Sequence, residues 1–211
     1  MRARLIDVAT PRDPAGIVVV LHGGGSRRGS PAVSPTQLSV LRMLPVARTI
    51  ARAGRRRLAV SRLLNSHRGW DASHTPVDDA SWAVRQLRER HPGVPVALVG
   101  HSLGGRAALL AGSLPPVTTV VALNPWLQAT DDVDLTGRHV LVVHGTEDRI
   151  ASPQRSRTLA DRLARRPGVE LTWHEVAGGK HAMLSHRGEF ERTAARFVVE
   201  HLLADHDPAR E

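Results

Sequence analysis

The residues best suited to chemistry surround Ser102, in the run Gly-His-Ser-Leu-Gly from residue 100 to residue 104. The apolar run Val96–Val99 precedes it, and a segment rich in alanine and leucine follows. A strand that turns sharply into a helix needs small residues beside the residue at its tip, and the two glycines supply them. The pattern indicates a nucleophile elbow, with Ser102 near a helix N-terminus that favours developing negative charge. An ordinary glycine-rich turn, in which the serine only caps the helix, is the alternative.

A serine hydroxyl is a weak nucleophile at neutral pH, so it needs a histidine base that is held in turn by a carboxylate. One apolar run ends in His-Gly-Thr-Glu-Asp at residues 144–148, and the last predicted strand, Val169–Val176, is followed by Gly-Gly-Lys-His at 178–181. The first core run ends in His-Gly-Gly at 22–24, where backbone N–H groups could stabilise an oxyanion. Glu147 is an alternative acid to Asp148, and His186 is an alternative base to His181.

The elements that must position these groups alternate between strand and helix along the whole chain. The pattern predicts an α/β fold: one domain, 1–211, with an open, mostly parallel sheet of six to seven strands and helices on both faces. In such sheets ligands bind beyond the carboxyl ends of the strands. Five predicted strands end in residues that could do chemistry or line a site, namely His22-Gly23-Gly24, Ser102, Trp126, Asp148 and His181.

These motifs together resemble the α/β-hydrolase superfamily, in particular its small, lidless, dienelactone-hydrolase-like serine esterases. The resemblance is carried by Leu21-His22-Gly23-Gly24, Gly100-His101-Ser102-Leu103-Gly104-Gly105, His144-Gly145-Thr146-Glu147-Asp148 and Gly178-Gly179-Lys180-His181. It implies that Ser102 is the nucleophile, Asp148 the acid and His181 the base. It also implies an oxyanion hole made of the backbone N–H groups of Leu103 and Gly24. Asn124 to Arg138 is too short for a lid domain, so we expect an open site.

Further side chains are expected around this site because their loops lie at the same edge of the sheet. Trp70, Trp126 and Met183 are predicted to contact substrate, and Leu103 is a further candidate. Core packing is the alternative for Trp126, and a packed, hydrogen-bonded ring is the favoured interpretation of both His22 and His101. The arginines that flank the predicted site suggest a carboxylate on the substrate; these are Arg27, Arg28 and Arg149.

The composition limits the other classes of function. The formal charge is +9, but the chain has a single lysine, few aromatic residues and no tyrosine, so a nucleic-acid surface is not expected. Arg55–Arg57 reads as a solvated turn. The chain has no cysteine and no histidine spacing typical of metal ligands, so we expect no cofactor and no metal. No signal peptide or membrane span is evident, and a cytoplasmic monomer or homodimer is expected.

The sequence thus predicts a serine hydrolase that cleaves a small carboxylic ester through an acyl-enzyme. Thioester, lactone or amide cleavage by the same three residues is an alternative. A catalytically silent, hydrolase-like binding protein and a basic nucleic-acid-binding protein are alternatives from other classes.

Overall fold

The computed structural model describes residues 2–25, 32–70 and 74–203. Seven strands form one sheet, and they are β1 (Arg4–Ala9), β2 (Gly16–Leu21), β3 (Leu58–Leu64), β4 (Val96–His101), β5 (Val117–Leu123), β6 (Arg138–Gly145) and β7 (Val169–Val176). Their spatial order is β1-β3-β2-β4-β5-β6-β7. All neighbouring pairs are parallel except β1 and β3, which are antiparallel. The predicted α/β sheet is confirmed, with seven strands.

Helices cover both faces of the sheet. They are α1 (Leu38–Leu41), α2 (Met43–Ala53), α3 (Pro76–Arg90), α4 (Leu103–Leu110), α5 (Pro153–Ala164) and α6 (Arg187–Leu203). Side chains of α3, α4 and α5 pack in one apolar core, whereas those of α2 and α6 pack in a second core across the sheet. Successive side chains of the central strand β2 point alternately into the two cores: Val19 belongs to the first core and Val20 to the second.

Burial on both faces explains why the central strands read as continuous apolar runs. Every residue of β2 and β4 is buried, whereas the edge strands β1 and β7 are half-exposed and carry polar residues. Strand β3 extends beyond its apolar start, Leu58–Val60, because β1 pairs along its outer edge and Ser61 Oγ donates to Asp7 Oδ1 at 2.7 Å. Tertiary pairing therefore lengthened a strand whose own sequence is only partly apolar.

Two segments between elements bear on the site. A single residue, Arg42, separates α1 from α2. Residues 124–137 contain neither helix nor strand, so no lid domain follows β5. Arg55–Arg57 form an exposed turn, with positive φ angles of 46° at Arg55 and 65° at Arg56.

Candidate active site

Ser102 lies between β4 and α4 in a strained conformation, with φ 57° and ψ −122°. Its N–H donates to the carbonyl of Leu123 at 3.1 Å, which fixes the turn against β5. The flanking glycines are required by close backbone approach. A Cβ on Gly100 would lie 2.0 Å from the carbonyl oxygen of Gly104, and a Cβ on Gly104 would lie 2.5 Å from that of Leu21. This geometry is that of a nucleophile elbow.

The structure brings Ser102, His181 and Asp148 together in one hydrogen-bonded chain. Ser102 Oγ lies 3.0 Å from His181 Nε2, and His181 Nδ1 lies 2.8 Å from Asp148 Oδ2. The acceptor-only carboxylate assigns the proton to Nδ1, which leaves Nε2 free to accept the serine proton. The alternatives do not take part: Glu147 Oε2 lies 3.9 Å from Lys180 Nζ at the surface, and His186 is exposed.

Asp148 is buried and ionised. Burial opposes ionisation, but it is outweighed by the hydrogen bonds to the carboxylate, so the pKa of Asp148 lies well below its usual range. The N–H groups of Ile150 and Ala151 donate to Oδ1 at 2.8 and 2.9 Å, and His144 Nε2 lies 3.3 Å from Oδ2. The loop after β6 therefore supplies a fixed negative charge to orient His181.

The loop that carries His181 is held by two buried side chains. Asn124, at the end of β5, donates from Nδ2 to the carbonyls of Lys180 (3.1 Å) and His181 (3.2 Å), while its Oδ1 accepts from Gly145 N–H at 2.8 Å. His101 Nε2–H donates to the His181 carbonyl at 2.7 Å. Burial, and then the charge of His181, lower the pKa of His101 to about 3, so this ring is neutral.

The two predicted oxyanion residues border the nucleophile. Leu103 is the first residue of α4, and Gly24 lies in the loop after β2 with a φ of 141°. That loop packs on the elbow, since a Cβ on Gly23 would lie 2.9 Å from Ser102 Cβ. His22 steadies it: Nδ1–H donates to the Gly23 carbonyl at 2.6 Å and Nε2 accepts from Asn65 N–H at 3.2 Å. Burial lowers the pKa of His22, which favours this neutral form.

An open pocket of about 560 Å³ lies over Ser102. It is lined by Gly23, Gly24, Gly25, Ser39, Arg42, Trp70, His101, Ser102, Leu103, Arg106, Trp126, Gln128, Ile150 and His181. The structure thus places Trp70, Trp126 and Leu103 where the sequence predicted them. Their contact with substrate stays a prediction.

Met183 requires a correction, because the structure does not bring it to this pocket. A positive φ of 53° turns the chain there, and the side chain is 3% exposed in the core formed with α2 and α6. Among the flanking arginines, Arg149 is exposed and does not line the pocket, whereas Arg27 and Arg28 lie outside the described residues.

Sequence reasoning missed two arginines that line the pocket, Arg42 and Arg106. Arg106 is buried on the first turn of α4 and makes a two-pronged ion pair with Asp131, with Nε–Oδ2 at 2.8 Å and Nη2–Oδ1 at 2.7 Å. Its guanidinium carbon lies 4.0 Å from the centre of the Trp70 ring. No local pattern links these residues, because Asp131 lies in a segment that reads as a polar linker.

Among the described residues, no cluster of three or more histidine and acidic side chains could hold a metal ion. Within the same ranges, no helix is both long and apolar enough to cross a membrane.

Comparisons with known proteins agree with this architecture. Residues 59–140 match the family model described as serine aminopeptidase, S33, a range that contains Ser102 and ends before Asp148. No curated protein matches the chain.

Among solved structures, a lidless α/β serine hydrolase from Xanthomonas campestris has 19% identity and a TM-score of 0.68, over 95% of this chain and 88% of that one. A dienelactone hydrolase from Anabaena variabilis has 20% identity and a TM-score of 0.66, over 95% and 91%. Est1E from Butyrivibrio proteoclasticus, with ferulic acid bound, has 15% identity and a TM-score of 0.66, over 94% and 95%. The chain therefore has the α/β-hydrolase fold without a lid, that of the superfamily its motifs resemble.

Proposed function

We propose that this chain is a serine hydrolase that cleaves small carboxylic esters through an acyl-enzyme. The observation that carries the proposal is the hydrogen-bonded chain from Ser102 through His181 to Asp148 at the floor of an open pocket. A nucleophile, its base and the group that orients the base are the minimum set for acyl transfer by serine.

In the first half of the reaction, Ser102 Oγ attacks the ester carbonyl while His181 Nε2 takes the hydroxyl proton. The imidazolium that forms is stabilised by Asp148, and the oxyanion receives hydrogen bonds from the N–H groups of Leu103 and Gly24. His181 then gives its proton to the leaving alkoxide as the carbon–oxygen bond breaks. In the second half, His181 takes a proton from water, the hydroxide attacks the acyl-enzyme, and Ser102 leaves with the proton returned.

The pocket favours esters over the N-terminal peptide bonds that the family description suggests. An aminopeptidase must bind a substrate ammonium group, for which a carboxylate is the ordinary partner. The described residues that line the pocket include two arginines and no aspartate or glutamate. Amide, thioester and lactone cleavage by the same three residues are tested in parallel with esters.

The experiment is hydrolysis of p-nitrophenyl esters from acetate to octanoate by wild type, Ser102→Ala and the matched control Ser113→Ala, whose serine is exposed away from the pocket. We expect Ser102→Ala alone to lose activity, by about 10³-fold or more relative to wild type.

A fluorophosphonate probe separates the remaining outcomes. Labelling of wild type but not of Ser102→Ala, with no turnover of any ester, would point to amide, thioester or lactone substrates. Wild-type activity retained by Ser102→Ala would contradict the proposal. Neither labelling nor turnover would instead favour the silent binding protein, and a salt-dependent affinity for DNA would favour the nucleic-acid-binding alternative.

A further inference from the structure

Arg42 is an uncompensated positive charge in the wall of the Ser102 pocket. It lies between α1 and α2 and lines the pocket together with the Gly23–Gly25 loop and His101. Its Nε is buried without a hydrogen-bond partner, and its guanidinium makes no ion pair within the described part of the chain. Burial lowers the pKa of Arg42, yet an arginine remains charged at neutral pH.

The acidic side chain that shares a groove with Arg42 already forms an ion pair with another arginine. Glu191 shares with Arg42 a second, apolar groove that runs from α1 to α6. However, Glu191 Oε1 lies 3.1 Å from Arg187 Nε, and Oε2 accepts from Thr49 Oγ1 at 3.1 Å. The other arginine of the pocket, Arg106, is neutralised by Asp131. Arg42 therefore carries the unbalanced charge among the described lining residues.

Ser39 provides a second donor beside Arg42. It lies three residues earlier and lines the same pocket. Its Oγ accepts a hydrogen bond from Gln37 Nε2 at 2.5 Å, which fixes the hydroxyl oxygen, while its proton has no acceptor in the described ranges. A guanidinium and a hydroxyl that both lack acceptors suit the oxygen atoms of a carboxylate.

We propose that Arg42, assisted by Ser39, binds a carboxylate of the substrate, so that the protein acts on small esters that carry a second, free acid group. This rests on the proposed function and deepens it, by assigning the substrate class. A half-buried cation without a partner is unfavourable in the empty pocket, and an anionic ligand relieves that cost on binding. A neutral ester of the same size cannot do so.

The test uses two pairs of esters, because the carboxylate could belong to the acyl or the alcohol part. The acyl pair is p-nitrophenyl hydrogen glutarate and p-nitrophenyl pentanoate, and the alcohol pair is para-acetoxybenzoate and its methyl ester. We measure the ratio of kcat/KM for the anionic ester to that for its neutral partner. Arg42→Met should lower this ratio about 10- to 100-fold in at least one pair. Arg42→Lys should retain part of it, and Ser39→Ala should lower it less.

The matched control is Arg48→Met, which removes the same charge from an exposed position on α2 that does not line the pocket. Its ratio should equal that of wild type. This equality would show that the lower ratio in Arg42→Met comes from the loss of a local contact and not from the change in net charge. Equal ratios in Arg42→Met and wild type for both pairs would overturn the inference while leaving ester hydrolysis intact.

A binding measurement decides the inference even where no ester is turned over. Glutarate and para-hydroxybenzoate are titrated by calorimetry into Ser102→Ala and into Ser102→Ala with Arg42→Met. We expect the affinity for at least one anion to fall about 10- to 100-fold when Arg42 is replaced. No binding to Ser102→Ala, or equal affinity in the two proteins, would overturn it.

Discussion

Asn124 joins three loops through one buried amide, so Asn124→Ala should damage both stability and activity. Its side chain makes three hydrogen bonds, to the carbonyls of Lys180 and His181 and from the N–H of Gly145. The variant leaves the Gly145 N–H without a partner, at a cost of about 1–3 kcal/mol, and loses two further bonds of about 1 kcal/mol each. Alanine at the positive φ of 42° adds about 1 kcal/mol.

The sum is a loss of about 4–6 kcal/mol in the free energy of unfolding. It is measured by urea denaturation, followed by tryptophan fluorescence and circular dichroism. Asn124→Asp keeps the acceptor for Gly145 and a residue type that tolerates positive φ, but at neutral pH it sets a buried carboxylate oxygen against the carbonyls of Lys180 and His181. We expect a loss at least as large as that of Asn124→Ala at neutral pH, which narrows at acidic pH because a protonated carboxyl can donate again.

Activity is the second measurement, because the same amide donates a hydrogen bond to the carbonyl of His181. The carbonyl of His181 would keep only the His101 bond, so its ring would be less well placed against Ser102. We expect kcat to fall about 10-fold or more in Asn124→Ala. A free energy of unfolding within about 1 kcal/mol of wild type, or an unchanged kcat, would refute the reasoning.

Two further predictions concern pH and packing. The pKa of His101 is about 3 in the fold against 6.5 for an unperturbed histidine, so the free energy of unfolding should fall as the pH is lowered through that interval, by about 1.4 kcal/mol per pH unit. His101→Gln removes one group that takes up a proton on unfolding, so it should reduce the slope of the free energy of unfolding against pH by about 1.4 kcal/mol per pH unit. The control His186→Asn, at an exposed position, should leave the slope unchanged. Gly104→Ala should cost about 3 kcal/mol or more, since its Cβ meets backbone at 2.5 Å. Gly188→Ala, whose Cβ meets only the mobile end of Arg192, should change stability by less than about 1 kcal/mol; equal losses in both would contradict the packing argument.

The strands and the chain from Ser102 to Asp148 were predictable because their signals are local. Buried parallel strands read as apolar runs, and the residues just after them must share one edge of the sheet. Ser102 and Asp148 each follow such a run, and His181 follows the more polar edge strand β7.

The wall of the pocket was less predictable, because it depends on packing between distant segments. Arg106 meets Asp131 across 25 residues, and Arg42 enters the pocket because the helix divides there. Met183 was predicted to line the site because its loop lies at the same edge of the sheet, but the chain turns there and its side chain packs in the core. A position just after a strand determines the edge of the sheet at which a residue lies. It does not determine the direction in which the side chain points.

The distance along the chain between the joined side chains has a consequence for synthesis. The Ser102–His181 bond spans 79 residues, and the His181 loop is held between β7 and α6, which ends at Leu203. A ribosome exposes the chain from its N-terminus, so Ser102 emerges before His181 does. The nascent chain therefore carries Ser102 without this hydrogen-bond partner while a further 79 residues are added. The hydrogen-bonded chain of the three side chains forms only once nearly all of the described chain has emerged and α6 has docked.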